Sequence, residues 1–123
     1  MSPEQIADMF LQQFYQNYQT QRQNLANFYD ANVSTFTGEA GTVKGRAAIM
    51  EKLLSFPQCQ VQINSKSAQV GPTNNSILIM VNGNIQLAGQ ENHLKFSQAF
   101  VLVSLQGGNM YIHNDIFQLN YAS

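Results

Sequence analysis

His113 and Asp115 are the two residues of this chain best suited to acid-base chemistry. They lie two positions apart near the C-terminus, a spacing that places both side chains on one face of a β-strand. A carboxyl group and an imidazole together are the minimum for abstracting a proton from a small substrate. The same residues also fit a structural interpretation, in which Asn114 and Asp115 hydrogen-bond the end of the strand, because buried polar groups are generally paired. The sequence favours the structural interpretation and leaves a small cavity enzyme of the isomerase or dehydratase type as the alternative.

The other potentially reactive residues predict no chemistry. Cys59 is the one cysteine, so no internal disulfide forms, and nothing near it in sequence would lower the pKa of its thiol. We therefore expect a small buried apolar side chain there, and a solvated His93 beside its glycine-containing turn. Two histidines and one cysteine are too few for a zinc motif. The segment Gly38–Gly41 lacks the Lys-Ser/Thr ending of a phosphate-binding loop, so the sequence predicts neither a metal nor a nucleotide cofactor.

Composition excludes further classes of function. Of 123 residues, 6 are Lys or Arg and 7 are Asp or Glu, so only 11% of the chain is charged. A nucleic-acid or acidic-membrane binder needs clustered basic residues, and this chain is not expected to bind either. No stretch approaches the roughly 20 apolar residues of a membrane span, and the N-terminus does not resemble a signal peptide. We expect one domain, residues 1–123, in the cytosol or the nucleus.

The elements that must position these residues are predicted by periodicity and capping. Ser2-Pro3-Glu4-Gln5 is typical of a helix start with a capping box, and apolar residues then follow at helical spacing. Thr20-Gln21-Arg22-Gln23 repeats the cap pattern, which predicts a second short helix that buries Leu25, Phe28 and Tyr29. A third helix is expected from Arg46 to Ser55, where Pro57 ends it.

Strand patterns dominate the rest of the chain. Alternation predicts a short strand over Val33–Thr37, and turn residues separate four further strands: Val61/Ile63, Ile77–Val81, Leu94–Leu105 and Met110–Tyr121. The predicted fold class is α+β, with three N-terminal helices packed on a strongly curved antiparallel sheet that forms a cone with an interior cavity. We expect the outer face of the sheet to be apolar and to be covered by a second copy of the chain, through Ile77, Ile79, Val81, Val101 and Val103.

Several long segments resemble the nuclear transport factor 2 family. The C-terminal segment Asn114-Asp115-Ile116-Phe117-Gln118-Leu119-Asn120-Tyr121 is similar to the family's closing strand. Gly83 to Glu91, followed by Leu94 to Phe100, is similar to the preceding hairpin. Gly45 to Pro57 is similar to the family's third helix and its exit, and the pattern of Phe14 to Tyr29 is also shared. The resemblance covers nearly the whole chain.

The resemblance implies a non-enzymatic carrier. It implies a cone-shaped homodimer that carries the GDP-bound form of the GTPase Ran into the nucleus and binds Phe-x-Phe-Gly repeats of nucleoporins. The implied location is the cytoplasm and the nucleus, with enrichment at nuclear pores. A third possibility is a cone protein that kept nucleoporin binding and lost Ran.

The resemblance also implies site residues. Glu39 matches a rim glutamate that pairs with Ran, Glu91 stands in the family's acidic turn, and Gln60 occupies the place of a basic rim residue. An aromatic side chain of Ran would enter a mouth lined by Phe56, Val61, Leu94, Ile116 and Phe36. The nucleoporin groove would lie between subunits and involve Phe117, with Pro3 where the family has an aromatic residue and Ile6 as its partial substitute. Gly38 likewise stands where the family has an aromatic residue.

Overall fold

The N-terminal helix begins where the cap pattern predicts. We describe a computed structural model for residues 1–120 of the chain, in which α1 covers Pro3–Thr20. The Ser2 hydroxyl accepts from the backbone N–H of Gln5 at 3.2 Å, and the Gln5 side chain accepts from the backbone N–H of Ser2 at 2.9 Å. This reciprocal pair satisfies two N–H groups that the helix itself leaves without partners, and it confirms the predicted capping box.

The second predicted helix is a 3-10 helix over Arg22–Phe28, and its predicted cap is wrong. The hydroxyl of Thr20 donates to the carbonyl oxygen of Gln16 at 2.7 Å within α1, so it is not free to cap the next helix. Gln21 occupies the cap position and makes no side-chain capping bond. Leu25 and Tyr29 are buried and Phe28 is half-buried, which agrees with the predicted buried side.

The third helix comes later in the fold than the prediction of three N-terminal helices implies. A hairpin of β1 (Thr35–Gly38) and β2 (Gly41–Lys44) precedes α2, which spans Arg46–Ser55 as predicted. Residues 1–120 thus contain two α-helices and one 3-10 helix. The sequence pattern does not predict β2, because a strand of four residues is too short to show a clear alternation of apolar and polar side chains.

The other four strands form the body of the sheet. They are β3 (Cys59–Val70), β4 (Ser76–Leu87), β5 (His93–Ser104) and β6 (Met110–Asn120). Consecutive strands in this group pair antiparallel, as predicted, and the order across the sheet is β2-β1-β6-β5-β4-β3. The hairpin joins through a parallel pairing of β1 with β6, which the sequence pattern did not predict. Tyr121, the predicted last strand residue, lies outside the described residues.

Two register shifts accompany the curvature of this α+β fold. One lies in β3 between Ile63 and Ser65, and the other opposite the Val101–Leu102 step of β5. An extra residue on one strand of an antiparallel pair bends that strand and increases its twist. The concave face, called the inner face below, packs against the helices, and fully buried side chains such as Phe14 and Phe100 fill its centre.

The predicted apolar outer face exists, but three of its five predicted members lie elsewhere. Ile77, Ile79 and Val81 are buried on the inner face. Because side chains alternate along a strand, the outer face of β4 instead carries Leu78 and Met80, which are 37% and 53% exposed. They lie opposite Val101 and Ala99 of β5, so Val101 and Val103 do belong to the outer face.

Candidate functional site

One end of the inner face presents half-buried apolar side chains. We call this group the apolar opening, and its members are Phe56, Val61, Leu94, Leu119 and, beneath them, Phe117. Val61 and Leu94 are the partners of Ile85 on the two neighbouring strands. They therefore lie on the same face of the sheet, on either side of Ile85. The Phe117 ring stacks on Phe96 at 5.7 Å between centroids and meets the Phe56 ring edge-on at 5.8 Å. The packed rings of Phe96 and Phe117 therefore form the base of the opening.

Phe56 reaches the opening from the chain segment that follows α2. It caps the C-terminus of α2 with an extended backbone, and Pro57 prevents the helix from continuing. Its ring also lies 6.3 Å from that of Tyr18 at the C-terminal end of α1. Two helix ends and the inner face of the sheet therefore meet at this point.

One carboxylate, that of Glu39, contacts the border of the apolar opening. Glu39 lies in the β1–β2 turn, and its Oε1 accepts from the backbone N–H of Leu119 at 2.6 Å. Leu119 lies beyond Ile116, the last residue of β6 that pairs with β1. The Glu39 carboxylate therefore gives the Leu119 N–H a hydrogen-bond partner that β1 does not supply. Glu91 is exposed in the β4–β5 turn, three residues before Leu94, and Gln60 is exposed beside Val61.

Ile116 does not belong with the residues predicted to line the mouth. Its side chain is 47% exposed and lies opposite Ala99 on the outer face of the sheet. Asp115 and Phe117, its neighbours in sequence, point to the inner face because side chains alternate along a strand. Phe36 is buried on β1 and contributes to the core.

Within one chain, the residues predicted for the nucleoporin groove between subunits lie at two different places. Phe117 is only 8% exposed and lies in the apolar opening, close to the C-terminal end of α1. Pro3 and Ile6 lie in the first turns of α1, about 22 Å and about 18 Å along the helix from Tyr18. Ile6 lines a largely apolar groove of about 710 Å³ whose walls include Met9, Phe10, Phe28, Leu105 and Met110.

Asp115 is held in a buried hydrogen-bond network. Its carboxylate accepts from the Tyr29 hydroxyl at 2.7 Å and from the Gln98 Nε2 at 2.7 Å, and the Tyr15 hydroxyl donates to the Gln98 Oε1 at 2.7 Å. Burial raises the pKa of Asp115 to about 6, although both hydrogen bonds act to lower it. Burial, followed by the nearby Asp115 charge, raises the pKa of Tyr29 well above its usual value. The network connects Tyr15 of α1, and Tyr29 immediately after the 3-10 helix, to the sheet.

His113 is not the partner of Asp115. It is the extra residue of β6 at the register shift, since Val101 pairs with Asn114 and Leu102 with Ile112. This insertion breaks the simple alternation on which the predicted pair depends. His113 Nδ1 instead lies 2.6 Å from the Asn114 Oδ1. The structural interpretation of Asp115 is confirmed, and the two-residue acid-base pair is wrong.

Two further candidates, Cys59 and His93, are placed as the sequence predicts. Cys59 is buried, and burial raises the pKa of its thiol, although the Arg22 guanidinium 3.6 Å from Sγ acts in the opposite direction. His93 is exposed. Within residues 1–120, no three His, Cys, Asp or Glu side chains are grouped to hold a metal ion. None of the helices in that range is both long and apolar enough to cross a bilayer.

Two features of the site escaped the sequence analysis. Arg22 is buried beneath Phe56, and Gln98 connects two tyrosines to Asp115. Arg22 gave no usable signal, because its sequence neighbours Gln21, Gln23 and Asn24 are polar and the segment resembles an exposed one. Gln98 gave none among the many amides of the sequence, because only the folded register places it opposite Phe117.

Comparison with known proteins gives a consistent result. The family model for the nuclear transport factor 2 (NTF2) domain matches residues 6–119. Nuclear transport factor 2B of Arabidopsis thaliana is 39% identical, covering 99% of this chain and 98% of that protein. Nuclear transport factor 2 of Saccharomyces cerevisiae is 37% identical, with 96% and 94% covered. The solved structure of nuclear transport factor 2 from Cryptosporidium parvum matches with a TM-score of 0.88 and 33% identity, covering 96% of this chain and 94% of that one.

These similarities extend over nearly the whole chain and agree with the geometry. The fold is the NTF2-like fold, and the one buried carboxylate suited to proton transfer is committed to a structural network. The relatives are nuclear transport factors, which are carriers and not enzymes, so the role of this protein is nucleocytoplasmic transport. The chain belongs to the nuclear transport factor 2 family.

Proposed function

We propose that this protein carries the GDP-bound form of the GTPase Ran into the nucleus, and that the apolar opening receives an aromatic side chain of Ran. The observation that supports this best is the opening itself: half-buried Phe56, Val61, Leu94 and Leu119 above the stacked Phe96–Phe117 pair. Such a surface offers an aromatic anchor dense apolar contacts, and buried anchors of this kind dominate the energy of interfaces.

Glu39 and Glu91 would orient Ran on the opening. Glu39 uses one carboxylate oxygen for the Leu119 N–H, which leaves Oε2 to pair with a basic side chain of Ran. Glu91 is exposed three residues before Leu94, and Gln60 is exposed next to Val61 in the sequence. Exposed charges at the border of an interface mainly set the rate and orientation of encounter, so they should matter less than Phe56 for the lifetime of the complex.

Isothermal titration calorimetry with Ran loaded with GDP, and separately with a GTP analogue, tests the proposal. We expect binding selective for the GDP form, a large loss of affinity for Phe56→Ala, and a smaller loss for Glu39→Lys. Glu39→Gln separates the two roles of this side chain, because the amide oxygen can still accept from Leu119. Glu4→Lys is the matched charge reversal, since Glu4 lies about 21 Å along α1 from Tyr18.

The outcomes are distinct. Unchanged dissociation constants for Phe56→Ala and Glu39→Lys would remove both residues from the site. Binding of a Phe-x-Phe-Gly peptide without binding of either form of Ran would leave the third possibility, a cone protein that recognises nucleoporins alone.

The outer face of the sheet supports a homodimer, with residues 1–123 as one domain in each copy. Leu78, Met80 and Ile116 are exposed there beside Val101 and Val103, and a contiguous apolar surface of this kind is unusual on a monomer. Sedimentation should give a dimer at micromolar concentration, and Met80→Glu should give a monomer. Asn82→Glu is the matched control, because Asn82 lies on the same face among polar side chains. A wild-type monomer would refute the interface.

Phe-x-Phe-Gly repeats of nucleoporins would bind near the N-terminal end of α1, where Ile6 and Pro3 lie. This would enrich the protein at nuclear pores. A synthetic peptide with two such repeats should bind the wild type more tightly than Ile6→Ser. Equal affinities would place the repeat site elsewhere.

A further inference from the structure

Arg22 is a buried cation that is balanced by carbonyl groups. Only 7% of the residue is exposed. Its Nε donates to the Tyr18 carbonyl at 3.0 Å, and its Nη1 and Nη2 donate to the carbonyls of Leu53, Phe56 and Pro57 at 3.1, 2.5 and 3.0 Å. Among residues 1–120, the ion pair that forms joins Lys66 to Asp8, so Arg22 has no carboxylate partner there.

These carbonyls explain why a charge is tolerated at this position. The last carbonyls of α2 have no partner within the helix, and the helix dipole makes this end negative. Arg22 reaches them from the 3-10 helix and satisfies the end of α2 together with the two residues beyond it. A planar guanidinium with a fork of donors can do this, whereas a lysine ammonium cannot span the same set.

The guanidinium also contacts the aromatic rings that border the opening. Its central carbon lies 4.2 Å from the centroid of the Tyr18 ring and 5.8 Å from that of Phe56. Phe56 therefore has its backbone carbonyl held by a hydrogen bond and its ring held between Arg22 and Phe117. No regular secondary structure holds Phe56 otherwise, because it lies between the end of α2 and β3.

We propose that Arg22 is a positioning residue for the apolar opening: it holds Phe56 in the orientation that receives the aromatic side chain of Ran. The identity of the ligand rests on the proposed function, whereas the effect of Arg22 on the orientation of Phe56 does not. An aromatic ring that is ordered before binding loses less conformational entropy on binding, so its affinity is higher than that of a mobile ring. Arg22 acts through Phe56 and does not touch the ligand.

The first test needs no Ran. The free protein is labelled with 4-fluorophenylalanine at position 56, and its ¹⁹F spectrum is recorded for the wild type, Arg22→Lys and Arg46→Lys. Arg46 is the matched control because its Nε also donates to two backbone carbonyls, those of Ala26 and Tyr29, but not near Phe56. We expect Arg22→Lys alone to broaden or split the resonance. An unchanged resonance in Arg22→Lys would overturn the proposal.

The second test is a double-mutant cycle on the affinity for Ran·GDP. Arg22→Lys should weaken binding about threefold to tenfold in the wild-type background and have almost no effect in the Phe56→Ala background, because the ring on which it acts is absent. Equal losses in both backgrounds would show that Arg22 does not act through Phe56. If Ran does not bind the wild type but the ¹⁹F resonance responds as expected, the proposed function fails and the positioning of Phe56 stands.

Tyr18→Leu covers the case in which Arg22→Lys does not fold. It removes the ring on which the guanidinium stacks and leaves all four hydrogen bonds to carbonyl groups available. The same broadening at position 56, to a smaller degree, is the expected result. A sharp and unshifted resonance in this variant would again contradict the proposal.

Discussion

Asp115→Asn should make the protein more stable at neutral pH and should remove part of the pH dependence of its stability. The carboxyl group is fully buried, and its two hydrogen-bond donors, Tyr29 and Gln98, are both neutral. Burial of a charge without a cation is costly, and this cost is the reason that the pKa of Asp115 rises to about 6.

The sign of the effect follows from proton binding. The ordinary pKa of this carboxyl is 3.8, so between about pH 4 and pH 6 the folded protein holds a proton that the unfolded chain has released. The free energy of unfolding must therefore fall as the pH rises through this window and become level above it. A difference of about two pH units corresponds to about 3 kcal/mol, of which about 2 kcal/mol is lost between pH 4.5 and pH 7.5.

The asparagine variant isolates this contribution. Its side-chain oxygen can still accept from Gln98, and its amide group can donate to the Tyr29 oxygen, as the protonated acid does. Near pH 4 the two proteins should therefore be similarly stable. At pH 7.5 the variant should be more stable by about 2 kcal/mol, because it has no charge to bury.

Urea unfolding at pH 4.5 and pH 7.5, at one protein concentration, measures the effect. Asp30→Asn is the matched control with the opposite sign. Backbone N–H groups of Asn32 and Val33 lower the pKa of Asp30, so its contribution is present above its ordinary pKa and is lost as the pH falls. If wild type and Asp115→Asn lose stability equally between the two pH values, the account of a buried and unpaired carboxylate is incorrect.

Two substitutions test the local geometry. Gly83→Ala should lower the free energy of unfolding by about 1–3 kcal/mol, because a methyl group there would overlap the Gln62 carbonyl oxygen and press on the Phe96 ring; an unchanged urea midpoint would contradict this close approach. Ser2→Ala should cost about 1 kcal/mol through loss of the capping box, measured as a lower thermal midpoint, and a midpoint equal to that of the wild type would show that the cap contributes nothing.

The parts of the fold that depend on short-range chemistry were predictable. The capping box at Ser2, the helix that ends before Pro57 and the four long strands all follow from local residue patterns. The patterns failed where an element is short or irregular. Gln21 begins a 3-10 helix without a side-chain cap, and β2 is four residues long.

The candidate site was predictable only in part for the same reason. The structure places Phe56, Val61 and Leu94 at one end of the inner face, whereas Ile116 points to the outer face and Phe117 takes its place. The alternation in the part of β6 that follows the register shift decides which of these two neighbours faces the core, and the sequence offers an apolar side chain at both positions. An error of one residue in the phase of a strand moves every side chain to the opposite face.

The sequence by itself determined the class of the fold and the family. The tertiary structure alone decided that Asp115 is a core residue and not half of a catalytic pair. The extra residue His113 interrupts the alternation of side chains between the two faces of the sheet at this point of β6. It also decided that Arg22 lies beneath Phe56. Contacts between residues far apart in the chain depend on register and packing, and local periodicity does not encode either of them.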